Sequence, residues 1–365
     1  MATPRMLGPL FLALAGTGAA GGAPTSHSNG VNYAMMPLRN LSDDPEAASR
    51  IGALIEAEFA ARGARFVDPE DLEARLLERR VRYTDSLSVR DARALAEALH
   101  VEFILAGTVI DFDDGPQPRV ALTLRALRGS SGERVASSSV ALRGADFEGL
   151  LGLGKIDESD ELLGEALDAL LAPFDENARP LEQTARPGER ERSDPPDSGW
   201  GYMLEDFEPA AVERVAILPF DNRSSAPDAT VAWSEFLGDA WFRSSGVQVV
   251  EPAEVRSALQ RLRVRSMRFV DNRGLAQLGR ELGTRYFALG SIERFGEEST
   301  VDNDHFPEVE ATVRIIDVES GRIMAAAGVR RRGDHYQSLL GLGVIRDPLG
   351  LARQTAREIV AGLGG

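Results

Sequence analysis

The sequence has 365 residues, of which 43% are hydrophobic and 27% are charged, and its formal net charge is −16. This length and composition predict a globular protein with two domains of ordinary size. The negative charge argues against a nucleic-acid or anionic-membrane surface, because binding to phosphates needs many cationic side chains. The absence of cysteine excludes disulfides, thiolate metal sites and a lipid attached through cysteine.

Residues 1–23 have the pattern of a secretory signal peptide. Arg5 precedes an apolar run over residues 6–15, and small residues follow as far as Ala23. Such a run is typical of a segment that is removed on export, and it is too short to cross a bilayer as a helix. We therefore expect an exported protein, periplasmic or peripherally associated with the outer membrane and not lipidated. The alternative interpretation is a disordered apolar tail.

Most of the remaining sequence occurs twice. The spacing between matching positions grows only from 182 to 189 residues along the chain, and the two insertions fall where loops are expected. This repetition predicts a tandem duplication, with one copy over residues 31–174 and another over residues 213–365. Matching pairs include Pro37 and Pro219, Asn40 and Asn222, Gly107 and Gly290, and Gly132 and Gly321.

The first helix of each copy carries apolar residues at the spacing of one helical face. A ligand-lining aromatic stripe is the alternative, but the recurrence of the stripe at matching positions favours core packing. Further helices are predicted to begin at Asp68-Pro69 in the first copy, at Glu251-Pro252 in the second, and at Ser88. The apolar stripes consist of Ile51, Leu54, Ile55 and Phe59 in the first copy and Trp233, Phe236, Leu237 and Trp241 in the second.

Each copy continues with a nearly all-apolar strand, which suggests a strand buried on both faces. Each copy ends with two alternating strands around a Ser-Gly turn and a final helix, which carries leucines in the first copy and Leu351, Ala356, Ile359 and Val360 in the second. The predicted fold class is therefore α/β. We expect two tandem three-layer domains, each a mixed sheet flanked by helices with a C-terminal hairpin and helix.

Residues 175–212 between the copies are rich in proline and charge, which predicts a disordered, flexible linker. Trp200, Tyr202 and Phe207 lie near its end. These aromatic residues either dock onto a neighbouring domain or form a strand that leads into the second copy.

The sequence contains few candidates for chemistry. The GLGK segment at 152–155 lacks the phosphate-loop pattern, and Val344 replaces Lys155 in the second copy, so an apolar loop is the preferred interpretation. An acidic insertion could hold a divalent cation, although a solvated hairpin loop is favoured. It contains Asp302, Asp304, His305 and Glu308. Because no nucleophile–base pair or zinc motif is present, we expect no enzymatic activity, no cofactor and no resident metal.

Four polar residues follow the opening strands of the two copies: Asn40, Ser42, Asn222 and Ser224. Such side chains commonly bond to the backbone of a turn. They would also lie at the carboxyl edge of the sheet, where α/β domains bind ligands. We retain both interpretations, and the four residues are the candidate partner or ligand loops.

Residues 215–222 (VAILPFDN), 249–252 (VVEP), 282–292 (LGTRYFALGSI) and 313–323 (VRIIDVESGRI) carry a family resemblance. They resemble the CsgG, FlgO and TolB N-terminal group of bacterial envelope domains. The resemblance covers most of residues 213–330 and, more faintly, residues 31–141. It implies a domain that binds other envelope proteins in secretion pores, flagellar accessory structures or periplasmic complexes.

Three functions are compatible with these patterns. The first is a non-catalytic exported module for protein–protein interaction or assembly, whose two linked copies engage two sites of a partner. The second is a CsgG-like oligomeric component of an outer-membrane export apparatus. The chain departs from the pore-forming members of the CsgG group, since it lacks a lipid-bearing cysteine and long membrane hairpins. The third is a periplasmic protein that binds a small ligand.

Overall fold

The computed structural model describes residues 30–364 apart from 82, 148–153, 182–198, 268–269, 302–303 and 338–342. The predicted signal peptide lies outside the described residues. So do the middle of the predicted linker, the first half of the GLGK segment and Asp302.

The first copy folds as a mixed sheet with helices on both faces. Its strands are ordered β3-β1-β4-β5-β6, and the short β2 pairs with β4. Strand β1 is parallel to β3 and β4, whereas β4, β5 and β6 are antiparallel. The elements are β1 (Asn32–Met35), β2 (Arg39–Asn40), α1 (Ala47–Ala61), β3 (Arg65–Phe66), α2 (Pro69–Glu78), α3 (Val89–Leu99), β4 (Phe103–Asp113), β5 (Arg119–Arg128), β6 (Arg134–Arg143) and α4 (Ser159–Leu171).

The second copy repeats this topology and adds an edge strand. Its order is β10-β8-β11-β12-β13-β7, with β9 paired to β11. The predicted fold class is confirmed: two tandem α/β domains, each with a mixed sheet, a C-terminal hairpin and a final helix. The elements are β7 (Gly199–Met203), β8 (Arg214–Ile217), β9 (Asp221–Asn222), α5 (Ala229–Ser245), β10 (Gln248–Val249), α6 (Pro252–Arg261), α7 (Asn272–Leu282), β11 (Tyr286–Val301), β12 (Asp304–Asp317), β13 (Ile323–Arg332) and α8 (Pro348–Gly362).

Local sequence signals explain where several helices begin. The Asp68 side chain accepts a hydrogen bond from the Glu70 amide at 2.8 Å, and Pro69 occupies the first turn of α2. The Ser88 hydroxyl accepts a bond from the Asp91 amide at 3.0 Å. These side chains satisfy amide groups that lack partners within the helix, and they thereby define its first turn.

The apolar stripe of α1 is only partly buried. Ile51, Ile55 and Phe59 are buried as predicted, but Leu54 is 38% exposed, whereas its counterpart Phe236 is 1% exposed. The prediction that Leu54 belongs to the core is therefore wrong for the first copy. The two helices differ because a second sheet covers α5, as described below, while the outer side of α1 carries no such cover among the described residues.

Parts of the predicted linker lie against the domains. The Tyr33 hydroxyl donates a hydrogen bond to the carbonyl of Ala178, which is fully buried. Trp200 and Tyr202 belong to β7, which pairs with β13. Phe207 is buried and its ring contacts Tyr286. Residues 199–203 therefore form an additional edge strand of the second sheet.

The repeated glycines in β4 and β11 permit close approach of the neighbouring strand. A Cβ atom on Gly107 would lie 2.2 Å from the Thr123 carbonyl oxygen, and one on Gly290 would lie 1.7 Å from the Thr312 oxygen. Real Cβ atoms do not come this close to backbone oxygen, so a larger residue would force the strands apart.

We predict opposite effects for two glycine substitutions in the first domain. Gly107→Ala should lower the free energy of unfolding by about 2–4 kcal/mol, because the methyl group collides with backbone. Gly52 lies within α1, and an added Cβ atom there would have its nearest neighbour, the Leu38 side chain, at 4.0 Å. Gly52→Ala should therefore raise the free energy of unfolding by about 0.5–1 kcal/mol. Urea unfolding followed by circular dichroism measures both. A Gly107→Ala variant as stable as the parent would contradict the explanation.

Candidate functional site at the domain interface

The second domain covers half of one face of the first sheet. Helices α2 and α3 pack on this face over β1 and β4, whereas β6 contacts α5 and α8 of the second domain. Ile110, Ala121 and Ala141 belong to the same apolar cluster as these two helices. Helices α5 and α8 therefore lie between their own sheet and the first one, which explains why α5 is buried on both sides.

A buried network of ion pairs joins the two domains. The Arg125 guanidinium donates to Glu235, and its Nε lies 3.4 Å from Glu251 Oε2. Arg134 donates to Glu251 Oε1 from Nε at 3.0 Å and from Nη2 at 2.7 Å. All four charged side chains are buried. The Thr123 hydroxyl lies 3.4 Å from Glu235 as a further donor.

Ser139 connects a second group of charges. Its hydroxyl donates to Asp239 Oδ2 at 2.6 Å and accepts from Arg353 Nε at 3.0 Å. The serine thus connects β6 of the first domain with α5 and α8 of the second. A small side chain is required at this position because the two helices lie directly on the sheet.

A loop of the first domain binds the first turn of α6. Asp85 is 2% exposed and accepts two bonds from Arg256, at 2.8 and 3.1 Å. The Ser86 hydroxyl accepts from the Ala253 amide at 2.8 Å. Acceptors suit a helix N-terminus, where amides lack partners and the dipole is positive. Arg39, at 3.4 Å, is a further cation beside Asp85.

Burial and neighbouring charges shift the pKa values of Arg125 and Glu235 in opposite directions. Burial alone would lower the pKa of Arg125, but Glu235, Glu251 and Asp85 outweigh it and raise that pKa. Burial raises the pKa of Glu235, while Arg125 and Arg134 oppose the shift. The arginine therefore remains charged in the folded protein.

A cavity of about 150 Å³ lies beside the network. It lies where β8 and β10 end and where α5 and α6 begin, a place at which α/β sheets often bind ligands. Its lining combines apolar side chains with charged ones of both signs, since Asp85 and Glu235 lie there beside the arginines. The lining includes Ile217, Val231, Val249, Val255, Arg39 and Arg256.

The predicted loop residues close two equivalent turns. Asn40 Oδ1 accepts bonds from the Ser42 amide at 3.0 Å and the Ser42 hydroxyl at 2.7 Å. Ser224 donates the same pair of bonds to Asn222 at the same lengths. The side chains within each pair thus bond to each other, as expected of turn residues. Their role as partner or ligand loops remains a prediction.

The acidic insertion forms part of the β11–β12 hairpin. Glu308 is 3% exposed and pairs with Arg330 and with Arg294 at 3.2 Å. Among the described residues, no group of three or more acidic, histidine or cysteine side chains is arranged to hold a metal ion. None of the described helices has the length and apolarity needed to cross a membrane.

The sequence patterns did not indicate the interface residues as a functional site, and Glu251 was identified only as the start of a helix. A signal was nevertheless present, since Glu235 and Asp239 introduce charge into α5 at positions where α1 has Ala53 and Ala57. A charge that appears in one copy of an otherwise equivalent helix indicates a contact made by that copy alone.

Comparison with known proteins yields only partial similarity. No family model and no curated protein matches the chain. Three bacterial structures resemble one part of it. They are the PelC dodecamer from Paraburkholderia phytofirmans (16% identity, 45% of this chain, 96% of that chain, TM-score 0.31), lipoprotein GNA1162 from Neisseria meningitidis (16%, 38%, 94%, 0.30) and the LpoB C-terminal domain from Escherichia coli (16%, 31%, 82%, 0.26). These identities and TM-scores assign neither a family nor an activity.

Breaking the buried ion pair should be costly. Arg125→Met leaves Glu235 unpaired and should destabilise the protein by about 3–5 kcal/mol. Glu235→Leu should cost less, because Glu251 still faces Arg125. The double variant should cost clearly less than the sum of the two, as a double-mutant cycle in urea would measure. Additive losses would show that the pair does not couple the domains.

The stability of the interface should also depend on pH through Asp347, the N-cap of α8. Burial, together with Asp146 and Asp111 of the first domain, raises the pKa of Asp347 to about 7, although its bond from the Gly350 amide acts in the opposite direction. Between pH of about 4 and about 7 the folded chain retains a proton that the unfolded chain releases. Stability therefore falls as pH rises through this window.

Asp347→Asn cannot ionise and retains a good capping side chain. It should exceed the parent in unfolding free energy by roughly 1–4 kcal/mol at pH 8 and match it near pH 4. Asp228→Asn, at the exposed start of α5, serves as the control and should shift stability little at either pH. Equal urea midpoints for Asp347→Asn and the parent at pH 8 would contradict the raised pKa of Asp347.

Proposed function

We propose that the chain is an exported, non-catalytic protein of the bacterial envelope that acts as a module for binding or assembling other envelope proteins. The observation that carries this proposal is the buried network between the domains. Arg125, Arg134, Glu235 and Glu251 serve to hold two copies of one fold together as a single unit. The signal-like N-terminus and the CsgG, FlgO and TolB resemblance support the same function.

The contacts made at the carboxyl edge of the second sheet also support the proposal. Asp85 and Ser86 of the first domain bind Arg256 and the first turn of α6 there. A site of this kind in an isolated α/β domain would be open to a substrate. In this chain, part of it is used for domain packing, which favours a function on the outer surface.

Packing of the domains gives the loops at Asn40 and Asn222 a defined separation. Two binding surfaces held at a fixed distance lose less entropy on binding than two surfaces on a flexible tether. The proposed module therefore suits a partner with two equivalent sites, or two neighbouring subunits of a symmetric partner.

Expression in a bacterium with two membranes, with a photo-crosslinking amino acid in an exposed loop position, tests this function. Asp43 and Ser225 occupy matching exposed positions in the two loops. We expect the chain in the envelope fraction without its first residues, and adducts with envelope proteins from both loops. The same probe at Arg79, exposed at the end of α2, should give no such adducts. A chain found only in the cytoplasm would refute the proposal.

A further inference from the structure

The cavity beside the buried network is formed by both domains and is open to solvent on one side. Four of its charged lining residues are buried: Asp85, Arg125, Arg134 and Glu235. Arg39 of the first domain and Arg256 of the second are not, since their side chains are 35% and 27% exposed. These two guanidinium groups therefore lie at the opening of the cavity.

The positive charges around the cavity outnumber the negative ones. Two ion pairs are balanced, Arg125 with Glu235 and Arg134 with Glu251. Arg39 and Arg256 share one carboxylate, that of Asp85, at 3.4 and 2.8 Å. Four guanidinium groups thus meet three carboxylates, and one positive charge has no counterion among the described residues. A partly buried charge without a counterion is unfavourable, so an anion that enters the cavity is stabilised.

Hydrogen-bond donors surround this charge and lack acceptors. The Nε atom of Arg256 is buried and makes no hydrogen bond to the described residues. Thr230 and Ser234, in the first two turns of α5, line the cavity, and neither hydroxyl has a partner in the described part of the chain. The Tyr83 ring lies 4.5 Å from the Arg256 guanidinium and helps to hold it in place. A carboxylate suits such a group of donors, because both of its oxygens accept hydrogen bonds.

The remainder of the lining is apolar. A cavity of about 150 Å³ accommodates a ligand of about six heavy atoms, the size of benzene. Binding sites for small molecules commonly combine apolar walls with a few polar groups that fix the orientation of the ligand. The lining therefore suits a small anion with an apolar tail better than an inorganic ion. The apolar residues include Ile217, Pro219, Val231, Val249 and Val255.

The two hydroxyls belong to the second copy alone. The matching positions of the first copy carry Ala48 in place of Thr230 and Gly52 in place of Ser234. Domain packing explains the buried ion pairs, but it gives these hydroxyls no partner among the described residues. Polar residues that depart from the repeated fold, and that packing does not use, are candidates for contact with a ligand.

We propose that this cavity binds a small monocarboxylate whose apolar tail has up to about six carbons. Its carboxylate lies at Arg39 and Arg256, where the uncompensated charge is, and its tail lies against Ile217 and the neighbouring valines. A monoanion balances the charge of the site, whereas a dianion reverses its sign.

The site takes residues from both domains, which determines what the ligand does. A ligand that binds only the packed arrangement stabilises it by mass action. The bound carboxylate therefore strengthens the contact between the domains. This inference goes beyond the proposed envelope function and does not depend on it.

Calorimetric titration of the purified full chain with acetate, butanoate, hexanoate and octanoate tests the class of ligand. The affinity should rise about fourfold with each added methylene group until the tail fills the cavity at about six carbons, and octanoate should gain little more. Hexylamine and hexanol should bind about tenfold more weakly than hexanoate or worse, because neither carries a negative charge. Saturating hexanoate should also raise the urea midpoint.

One substitution tests the charge. Arg39→Gln removes the uncompensated charge and leaves the bonds between Asp85 and Arg256 intact, so it should weaken acetate and hexanoate alike, by about tenfold or more. Arg322→Gln makes the same change of charge between β12 and β13, at a side chain that is 53% exposed and lies outside the cavity. This control should leave both affinities unchanged.

A second substitution tests the tail. A Cβ atom added at Gly238 would lie 3.4 Å from Ile217 and 3.6 Å from Val249, which are van der Waals contacts that the fold tolerates. Gly238→Ala should therefore weaken hexanoate by about fourfold or more and acetate little. Gly52→Ala makes the same change in α1, outside the cavity, and should alter neither affinity.

The proposal is overturned if hexanoate shows no saturable binding up to about 10 mM, or if hexylamine or hexanol binds as tightly. It is equally overturned if Arg39→Gln binds hexanoate as well as Arg322→Gln does, or if Gly238→Ala retains the hexanoate affinity of the parent. Circular dichroism identifies any variant that fails to fold, and the ligand series and the other variant then decide. None of these results bears on export or on the loop adducts, so the ligand site and the envelope function can fail separately.

Discussion

The architecture depends on the ion pair of Arg125 with Glu235, buried between two domains of the same fold. Moving either charge out of water costs several kcal/mol, and only a partner held in good geometry offsets that cost. The Glu251 carboxylate lies 3.4 Å from the same guanidinium, and the backbone carbonyl of Asp85 accepts a hydrogen bond from it. A shift of α5 along β5 by one residue would leave a buried charge without its partner. The pair therefore specifies one relative position of the domains, even though its net contribution to stability is modest.

This constraint explains how the two copies diverged. Residues that face each domain's own sheet remained apolar, as Ile51 and Trp233 show. Residues on the far side of the same helix changed according to what covers them. Glu235 faces an arginine of the first sheet, whereas the equivalent Ala53 faces outward. The duplicated fold thus uses one helix as an outer layer in one copy and as a shared middle layer in the other.

Local patterns were sufficient to predict most of the fold. Strand alternation, helix caps and the repeated glycines each act through near neighbours, so the order of elements and the mixed sheets could be read from residues such as Ser88 and Gly107. Domain packing could not, because it depends on contacts between residues more than 100 positions apart, such as Arg125 with Glu235. For the same reason the exposure of Leu54 was missed. The turn bonds of Asn40 followed from chemistry within a few residues, but a partner for that loop requires information from outside the chain.

A pair of domains joined sheet to helix necessarily leaves one sheet face and one helix face uncovered. A protein that functions as a monomer gains solubility if polar groups replace the apolar contacts on both remaining faces. The second sheet shows this change in β12 and β13, where Glu310 and Arg330 stand in place of two alanines. Its edge strand β7 does not follow, since Trp200 and Tyr202 are exposed. Aromatic side chains are enriched in reversible protein interfaces, and this composition distinguishes β7 from the charged positions of the strands beside it.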